Sequence, residues 1–145
     1  MFFNDDSLGF LMAQVVRANY NRMQALLGKL GLYPGQPPIL FMLWQEDGRS
    51  QTEFSEVLEL KPATVTVMLR RMEKAGLLLR RPDEKDLRVS RVYLTEKGRQ
   101  VRSEVEETIK RLDNECFDGF SAEEKVLLRR FLIHMRNNLT GKIGK

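Results

Sequence analysis

Residues 50–98 read SQTEFSEVLELKPATVTVMLRRMEKAGLLLRRPDEKDLRVSRVYLTEKG, and the signals along this stretch predict two helices followed by a hairpin. Ser50 and Glu53 have the spacing of a capping box, in which each side chain bonds the backbone N–H of the other residue. A first helix is therefore expected to begin directly after Ser50. Its apolar face is predicted to contain Phe54, Val57 and Leu58.

A second helix follows, and both of its ends are marked. Pro62 suits the first turn of a helix, where its missing N–H would have no helical partner. Gly76 suits the position just after the last turn. Four apolar residues recur at helical spacing and predict one buried stripe: Val65, Met68, Leu69 and Met72. The residues left on the outer faces are Ala63, Thr64, Thr66, Val67, Arg70, Arg71 and Lys74.

The remainder of the stretch predicts a hairpin. Residues 77–81 and 89–94 are rich in apolar and β-branched side chains and flank a charged, turn-forming segment, so a tip of six or seven residues is expected. Thr95 then stands where a helix cap is needed. The order of elements is that of a winged helix-turn-helix, in a fold that is mainly α with a small β-hairpin wing (α+β). Such a unit places its second helix in the DNA major groove and its hairpin along the backbone or the minor groove.

Positive charge is concentrated in the same part of the chain. The whole protein has a formal net charge of +4. Residues 49–102 contain 13 Lys and Arg against 8 Asp and Glu, whereas residues 1–48 carry a net charge of −1 and residues 103–145 are neutral. Lys and Arg displace counterions from DNA phosphates, so a local excess is expected of a DNA-binding face. A solvated basic surface explains the charge equally well, and the motif favours DNA.

Length and composition predict a single domain over residues 1–145. This length is common for one domain, and 42% apolar residues suffice for a core. The longest apolar run, Ile39–Trp44, is far shorter than the roughly 20 residues of a membrane span, and no signal-peptide pattern opens the chain. The single cysteine, Cys116, cannot form an internal disulfide and lies on an apolar helical stripe, where it is expected to be buried. A cytoplasmic protein without membrane contact is predicted.

Amphipathic helices are predicted on both sides of the winged part, which spans residues 32–98. Residues 4–30 form the first of these helices, which Asn4, Asp5 or Asp6 can cap. Residues 99–140 form the others. The apolar faces of these helices exceed what the winged part can cover, so burial against a second copy of the chain is expected, most simply in a two-fold dimer.

The side chains of the outer faces suggest separate roles on DNA. Thr64 and Thr66 suit base edges or thymine methyl groups, and Arg70 suits a bidentate contact to guanine, whereas Arg71 suits a phosphate. Ser50 and Gln51 stand at a helix N-terminus, where backbone amides can hold a phosphate. Phosphate or surface roles are assigned to Lys85, Arg80, Arg81 and Arg91. Intramolecular roles compete: the threonines can decorate a helix start, and one of the two arginines can pair with Glu56, Glu59 or Glu73.

Three stretches carry motifs at fixed spacing. Residues 31–43, GLYPGQPPILFML, contain Leu32, Gln36, Leu40 and Leu43, and residues 63–81 read ATVTVMLRRMEKAGLLLRR. Residues 83–99, DEKDLRVSRVYLTEKGR, contain Asp86-Leu87-Arg88 and, after five residues, Leu94-Thr95-Glu96-Lys97-Gly98. In these motifs the sequence resembles the MarR family of bacterial transcription regulators, whose wing has the pattern Asp-x-Arg, five residues, Leu-Thr-x-x-Gly. The resemblance covers nearly the whole chain.

The resemblance implies a homodimeric transcription regulator, most often a repressor, that reads a two-fold symmetric operator on double-stranded DNA. In the family the wing arginine enters the minor groove and the aspartate orients it, which assigns these roles to Arg88 and Asp86. The two side chains can also form a salt bridge that only shapes the turn, and the two interpretations do not exclude each other. The expected DNA-binding residues are Ser50, Gln51, Ala63, Thr64, Thr66, Val67, Arg70, Arg71, Lys85, Asp86 and Arg88. Two positions depart from the family pattern. Lys61 stands where members often have a Ser cap, and Val67 stands where Arg or Lys is common.

The family often binds a small anionic or phenolic effector between the dimer helices and the winged part. Phe10, Tyr20, Phe41 and Trp44 suit either such a cleft or the core, so no effector is assigned. Peroxide-sensing members use a cysteine near the N-terminus, which this chain lacks.

Two other classes of function remain. A winged-helix protein-interaction module without operator specificity would bind DNA weakly and without salt dependence. An enzyme is disfavoured, because a single histidine, His134, provides neither a Ser-His-Asp arrangement nor a usual metal cluster. No cofactor is expected.

Overall fold

The computed structural model describes residues 7–142. Within them the chain forms seven helices and three short strands, in the order α1 (Leu8–Gly28), α2 (Pro37–Gln45), β1 (Arg49–Ser50), α3 (Gln51–Leu58), α4 (Pro62–Lys74), β2 (Leu78–Pro82), β3 (Ser90–Leu94), α5 (Glu96–Gln100), α6 (Arg102–Cys116) and α7 (Ala122–Thr140). By packing, the chain divides into two compact units, Met1–Leu112 and Asp113–Lys145, and the division falls inside α6. The predicted fold class, mainly helical with a β-hairpin wing, is confirmed.

Helices α3 and α4 begin and end as the sequence predicts. The Glu53 N–H donates to the Ser50 hydroxyl at 3.3 Å and the Ser50 N–H donates to the Glu53 carboxylate at 3.2 Å, which confirms the capping box. The chain leaves α3 through Glu59, whose φ of 53° lies in the left-handed region. It enters α4 at Pro62 and leaves it through Gly76, with φ of 80°.

The core of the first unit fixes the orientation of α4. Phe54 of α3, Leu69 and Met72 of α4 and Val92 of β3 are completely buried in one cluster. Burial of each such side chain contributes about 1.5–3 kcal/mol. The predicted stripe of α4 is confirmed, with Val65 also buried and Met68 half-buried against the core.

The predicted apolar face of α3 is wrong at Val57, which is 61% exposed. The face turned inward carries Phe54, and Leu58 is half-buried against the core. Helical spacing from Phe54 placed Val57 on the buried face, but α3 is only eight residues long and the side that carries Val57 is exposed to solvent.

The three strands form one antiparallel sheet in the order β1-β3-β2. In the hairpin, Leu78 pairs with Leu94 and Pro82 with Ser90, which leaves a tip of residues 83–89. Strand β1 pairs Arg49 with Val92. The predicted hairpin is confirmed, and β1 ties it to the start of α3.

Helix α5 begins in close contact with the hairpin. The Thr95 hydroxyl caps α5 by accepting from the Gly98 N–H, as predicted, and the Thr95 N–H donates to the Leu77 carbonyl at 3.1 Å. Gly98 is buried, and its carbonyl accepts from the Trp44 indole N–H at 2.9 Å. The Trp44 ring also contacts Phe41 edge-on, with ring centroids 5.2 Å apart, and Arg102 at 5.7 Å. This Trp44–Gly98 joint connects α2 to the segment that leads out of the winged part.

The flanking helices of the first unit differ in detail from the sequence prediction. Helix α1 begins at Leu8 and is capped by Ser7, whose side chain accepts from the Phe10 N–H, while Asn4, Asp5 and Asp6 lie outside the described residues. Near its end, α1 buries Leu26 and Leu27, and its earlier part exposes Leu8, Leu11, Met12, Val15 and Val16. The helix predicted to follow Thr95 is interrupted at Val101, so α5 is short and α6 begins at Arg102.

The second unit consists of the end of α6 and the whole of α7. Ser121 and Glu124 form a capping box that opens α7. None of the 19 residues of α7 is buried, and its apolar side chains Val126, Leu127, Phe131, Leu132, Met135 and Leu139 are exposed. Cys116 is exposed as well, so the prediction that it is buried is wrong for the single chain. An apolar stripe on a helix predicts burial only where another element covers it.

Candidate nucleic-acid interface

The outer face of α4 has two chemically different halves. With Val65, Leu69 and Met72 turned into the core, the structure exposes Ala63, Thr64, Val67, Arg70, Arg71 and Lys74 and leaves Thr66 half-buried. The N-terminal half of this face carries short, uncharged side chains. The C-terminal half carries three cations. The outward placement predicted for the residues of this face is confirmed.

Ion pairs separate the structural cations of the winged part from those that face solvent without a counter-charge. Among residues 49–102, six arginines form ion pairs: Arg49, Arg80, Arg88, Arg91, Arg99 and Arg102. Within residues 7–142, no ion pair involves Lys61, Arg70, Arg71, Lys74, Arg81, Lys85 or Lys97. Four of these seven belong to α4 or to its cap. The uncompensated positive charge is therefore concentrated on the exposed helix, where phosphate binding would use it.

Two of the arginines predicted to be phosphate or surface groups, Arg80 and Arg91, have structural roles instead. Arg80 donates to Glu73 at 3.3 Å, and the Glu73 carboxylate also accepts from the Arg80 N–H at 3.0 Å. This pairing removes Glu73 from the partners proposed for Arg70 and Arg71. Arg71 instead lies 5.6 Å above the ring of Tyr33, a cation–π contact that leaves its charge available.

Arg91 and Asp83 hold the base of the wing. Arg91 Nε donates to Asp83 Oδ1 at 2.6 Å, and its Nη1 donates to the Gly48 carbonyl at 2.9 Å. The other carboxylate oxygen of Asp83 accepts from the N–H groups of Lys85 and Asp86 at 3.1 and 3.0 Å. The wing loop is thus tied both to itself and to the turn before β1, so Arg91 is not a free phosphate ligand.

This arrangement predicts a pH dependence of the wing. The Arg91 guanidinium lowers the pKa of Asp83; desolvation opposes the shift, and the N–H donors of Asp86 and Lys85 add to it. A carboxyl with a lowered folded pKa stabilises the fold above its unfolded pKa, and this contribution is lost as pH falls through the folded value. NMR titration should give Asp83 a midpoint below about 3.9, the ordinary value for aspartate, and Arg91→Gln should raise it.

Asp86 provides the control for this titration. Its pKa is lowered chiefly by the Arg88 side chain, so its midpoint should change less than that of Asp83 in the Arg91→Gln protein. Equal Asp83 midpoints in the wild type and in this variant would contradict the role given to Arg91.

Arg88 is the most exposed of the paired arginines, with 91% of its side chain accessible. Its Nε and Nη2 donate to the two Asp86 carboxylate oxygens at 3.0 and 3.1 Å, and its backbone N–H donates to the same carboxylate. This pair was open to two interpretations, a turn-shaping bridge and an oriented DNA contact. The geometry is compatible with both, because the bridge holds the guanidinium outward at the wing tip.

The N-terminus of α3 offers less to a phosphate than the sequence suggests. The Ser50 N–H and hydroxyl are both engaged with Glu53, and the Glu53 carboxylate occupies the positive end of the helix. A phosphate held through the Ser50 amide would have to displace that carboxylate. Gln51 is the first residue of α3, and its side-chain amide donates to the Thr66 hydroxyl of α4 at 3.4 Å.

A groove of about 310 Å³ brings three of the predicted site residues together. Gln51 and Thr66 line it from the helices, and Arg88 lines it from the wing. Its other lining residues are Thr52, Ser55, Pro62, Val89 and Ser90. Sequence reasoning missed the hydroxyls of Thr52, Ser55 and Ser90. The capping box fixes the start of α3, and helical spacing from it would have indicated the first two.

The aromatic residues considered for an effector cleft have other surroundings. Phe41 and Trp44 are half-buried and pack against the core of the first unit. Tyr20 is exposed on α1, and Phe10 is half-buried near its start. A separate groove of about 510 Å³ lies between α1 and α6, lined by Leu26, Lys29, Leu30, Ser103, Glu104, Glu107, Thr108 and Arg111.

Other kinds of site find no support in the part of the chain that the structure describes. Residues 7–142 contain no cluster of three His, Cys, Asp or Glu side chains arranged to hold a metal ion. His134 is exposed on α7. None of the described helices has the length and apolar character needed to cross a membrane.

Comparison with known proteins agrees with this geometry. The MarR family model matches residues 32–90. A helix-turn-helix transcriptional regulator of Bacillus subtilis, YdgJ, is 31% identical over 109 residues, which is 75% of this chain and 66%, slightly less than two thirds, of YdgJ. The crystal structure of a MarR protein from Peptoclostridium difficile superposes with a TM-score of 0.84 at 25% identity, covering 98% of this chain and 93% of that one.

A DNA complex is also among the similar structures. The transcriptional repressor CouR, solved bound to a 23-mer DNA duplex, superposes with a TM-score of 0.80 at 22% identity, covering 91% of this chain and 94% of CouR. At this identity the likeness concerns the fold.

Proposed function

Because the chain belongs to the MarR family, we propose that it is a sequence-specific DNA-binding transcription regulator that acts as a homodimer on a two-fold symmetric operator. Regulators of this family are DNA-binding proteins and not enzymes, which removes the enzyme alternative. The observation that carries the proposal is the exposed face of α4, on which the uncompensated cations of the winged part are concentrated.

On the proposed interface, α4 enters the major groove and the wing follows the backbone into the minor groove. Ala63, Thr64, Thr66 and Val67 face the bases, and Arg70 and Arg71 lie at the following turn, within reach of a guanine or of phosphates. Arg88, oriented by Asp86, is the contact of the wing, and Lys85 adds charge at its tip. The backbone N–H of Gln51, at the N-terminus of α3, provides a further phosphate contact beside α4.

A homodimer accounts for the apolar surface that the single chain leaves exposed. The first half of α1 and the whole of α7 present apolar side chains to solvent, including Leu8, Val15, Phe131 and Leu139. Exposed apolar surface on this scale is typical of an interface. A two-fold dimer would cover it and set two α4 helices about 34 Å apart, in successive major grooves.

The repressor role and a releasing effector complete the proposal. The repressor IacR of Pseudomonas putida is 28% identical to this chain over 138 residues, which supports the sign of regulation. The groove of about 510 Å³ is lined by α1, which is proposed to take part in the dimer, and by α6, which follows the winged part. A small molecule bound there would favour one dimer shape over another and so change the spacing of the two α4 helices.

The salt dependence of binding tests this proposal against the protein-interaction module. Duplexes from the protein's own upstream region should bind with a sequence preference, and log K should fall with log salt with a slope of about −4 or steeper, since each neutralised phosphate contributes about −0.9. Affinity is measured by fluorescence anisotropy at several salt concentrations, with a shuffled duplex as the control. Sedimentation of the same samples gives the mass of the bound species.

Two outcomes would count against the proposal. Equal affinity for the specific and the shuffled duplex, with a slope near zero, would favour the interaction module. A bound species with the mass of one chain would contradict the homodimer while leaving DNA binding intact.

A further inference from the structure

The half of α4 that would meet the bases is poor in hydrogen-bonding groups. Residues at the N-terminal end of a recognition helix contact base edges, and here the outward positions are Ala63, Thr64, Thr66 and Val67. Ala63 and Val67 have no polar side-chain atom. The cations begin only at Arg70, one turn later.

Thr66 has little hydrogen-bonding capacity left. Its hydroxyl donates to the Pro62 carbonyl at 3.0 Å and accepts from the Gln51 side chain at 3.4 Å. The donor proton is therefore already used inside the protein. Thr64 alone among the four retains a hydroxyl donor for a base edge, so apolar groups dominate this part of the surface.

We propose that Val67 determines operator specificity by contacting the C5-methyl group of a thymine, once in each half-site. This inference rests on the proposed DNA-binding function and adds to it the base that the helix selects. Thymine is the only base that presents a methyl group in the major groove, and apolar side chains discriminate in its favour. Guanine and cytosine edges would be left without partners against the isopropyl group of Val67, at a cost in desolvation.

The position of Val67 singles it out from its neighbours. It is 48% exposed on the outer face, one turn after Ala63 and one turn before Arg71. Phosphate contacts from Arg70, Arg71 and Lys74 would fix the C-terminal end of α4 at the backbone and hold Val67 over the base edges. Val57, the other exposed valine of the winged part, lies on α3 at 61% exposure and serves as a matched control.

Removal of single methyl groups from the DNA tests the inference. An operator is first selected from a random-sequence duplex library with the wild-type protein. Each thymine of the selected duplex is then replaced in turn by deoxyuridine, which lacks only the C5-methyl group. We expect one thymine per half-site whose replacement weakens binding about fourfold, the factor for one apolar carbon removed from a buried contact. Val67→Ala should lose this sensitivity at that thymine, and Val57→Ala should keep it.

The outcomes separate this inference from the function on which it rests. A library that yields no enriched sequence would overturn the DNA-reading function and the inference together. An enriched operator in which no thymine is methyl-sensitive, or in which the sensitivity is equal in the wild type and Val67→Ala, would overturn the inference alone. Val67 is exposed and alanine favours helices, so circular dichroism should show both variants folded.

Discussion

Replacing Gly98 by alanine should lower the free energy of unfolding by about 3 to 5 kcal/mol, because a side chain at this position has no space. A Cβ built on Gly98 overlaps the backbone carbonyl oxygen of Leu77 and lies 3.0 Å from a Leu94 methyl group. The carbonyl of Leu77 cannot move away without breaking the hydrogen bond that it accepts from the Thr95 N–H at 3.1 Å. Helix α5 would be forced off the hairpin, and the Trp44–Gly98 hydrogen bond would be lost with it.

Urea denaturation followed by circular dichroism measures this loss, at one fixed protein concentration because a dimer's stability depends on concentration. Gly28→Ala is the matched control: Gly28 is the last residue of α1, and apart from its chain neighbours and the helix's own backbone no atom lies within 4 Å of a built Cβ. There we expect no loss, or a gain of up to about 1 kcal/mol from helix propensity. Equal stability of Gly98→Ala and the wild type would show that α5 does not dock as described.

Replacing Arg88 by alanine should weaken operator binding about a hundredfold in the dimer, roughly tenfold for each wing, without lowering thermal stability. The side chain is 91% exposed, and its hydrogen bonds and ion pair in the described residues are with Asp86, so its removal takes little packing from the folded protein. The salt slope should become shallower by about two, since each protomer brings one cation fewer to the DNA and releases correspondingly fewer counterions. Anisotropy titration gives the affinity, and a melting curve of the same protein gives the stability.

Two further variants distinguish an oriented contact from simple charge. Lys85→Ala removes an equal charge from the same exposed loop and should reduce affinity by less than Arg88→Ala does. Arg88→Lys keeps the charge but loses the planar group that pairs with both Asp86 oxygens, so it should restore only part of the affinity. Wild-type affinity of Arg88→Ala, or a parallel fall in its melting temperature, would contradict the proposed role of Arg88.

Local features of the winged part were predictable because their causes lie within a few residues. A capping box such as Ser50 with Glu53 depends on two side chains three positions apart, and the end of α4 at Gly76 depends on one backbone conformation. The outer face of α4 followed from the helical repeat once Val65 and Leu69 were taken as buried. Contacts such as Asp86 with Arg88 are equally local, and the sequence indicated them.

Contacts between distant parts of the sequence were not predictable in the same way. Arg91 was taken for a surface group because its partners, Asp83 and the Gly48 carbonyl, become neighbours only when β1 and the wing loop meet. Cys116 was taken for a buried residue because the pattern shows which helix face is apolar and not whether anything covers it. Both errors concern neighbours that are distant in sequence, about which the periodicity of apolar residues gives no information.

The Trp44–Gly98 joint provides the protein with its own optical probe. Trp44 is the only tryptophan of the chain, and its indole N–H is bonded at the point where the segment leading to α6 leaves the winged part. Movement of α5 relative to α2 would change the polarity around this single indole and shift its emission. Intrinsic fluorescence therefore follows this joint in the unlabelled protein, in stopped-flow mixing with DNA or with a candidate small molecule, and the signal comes from one site.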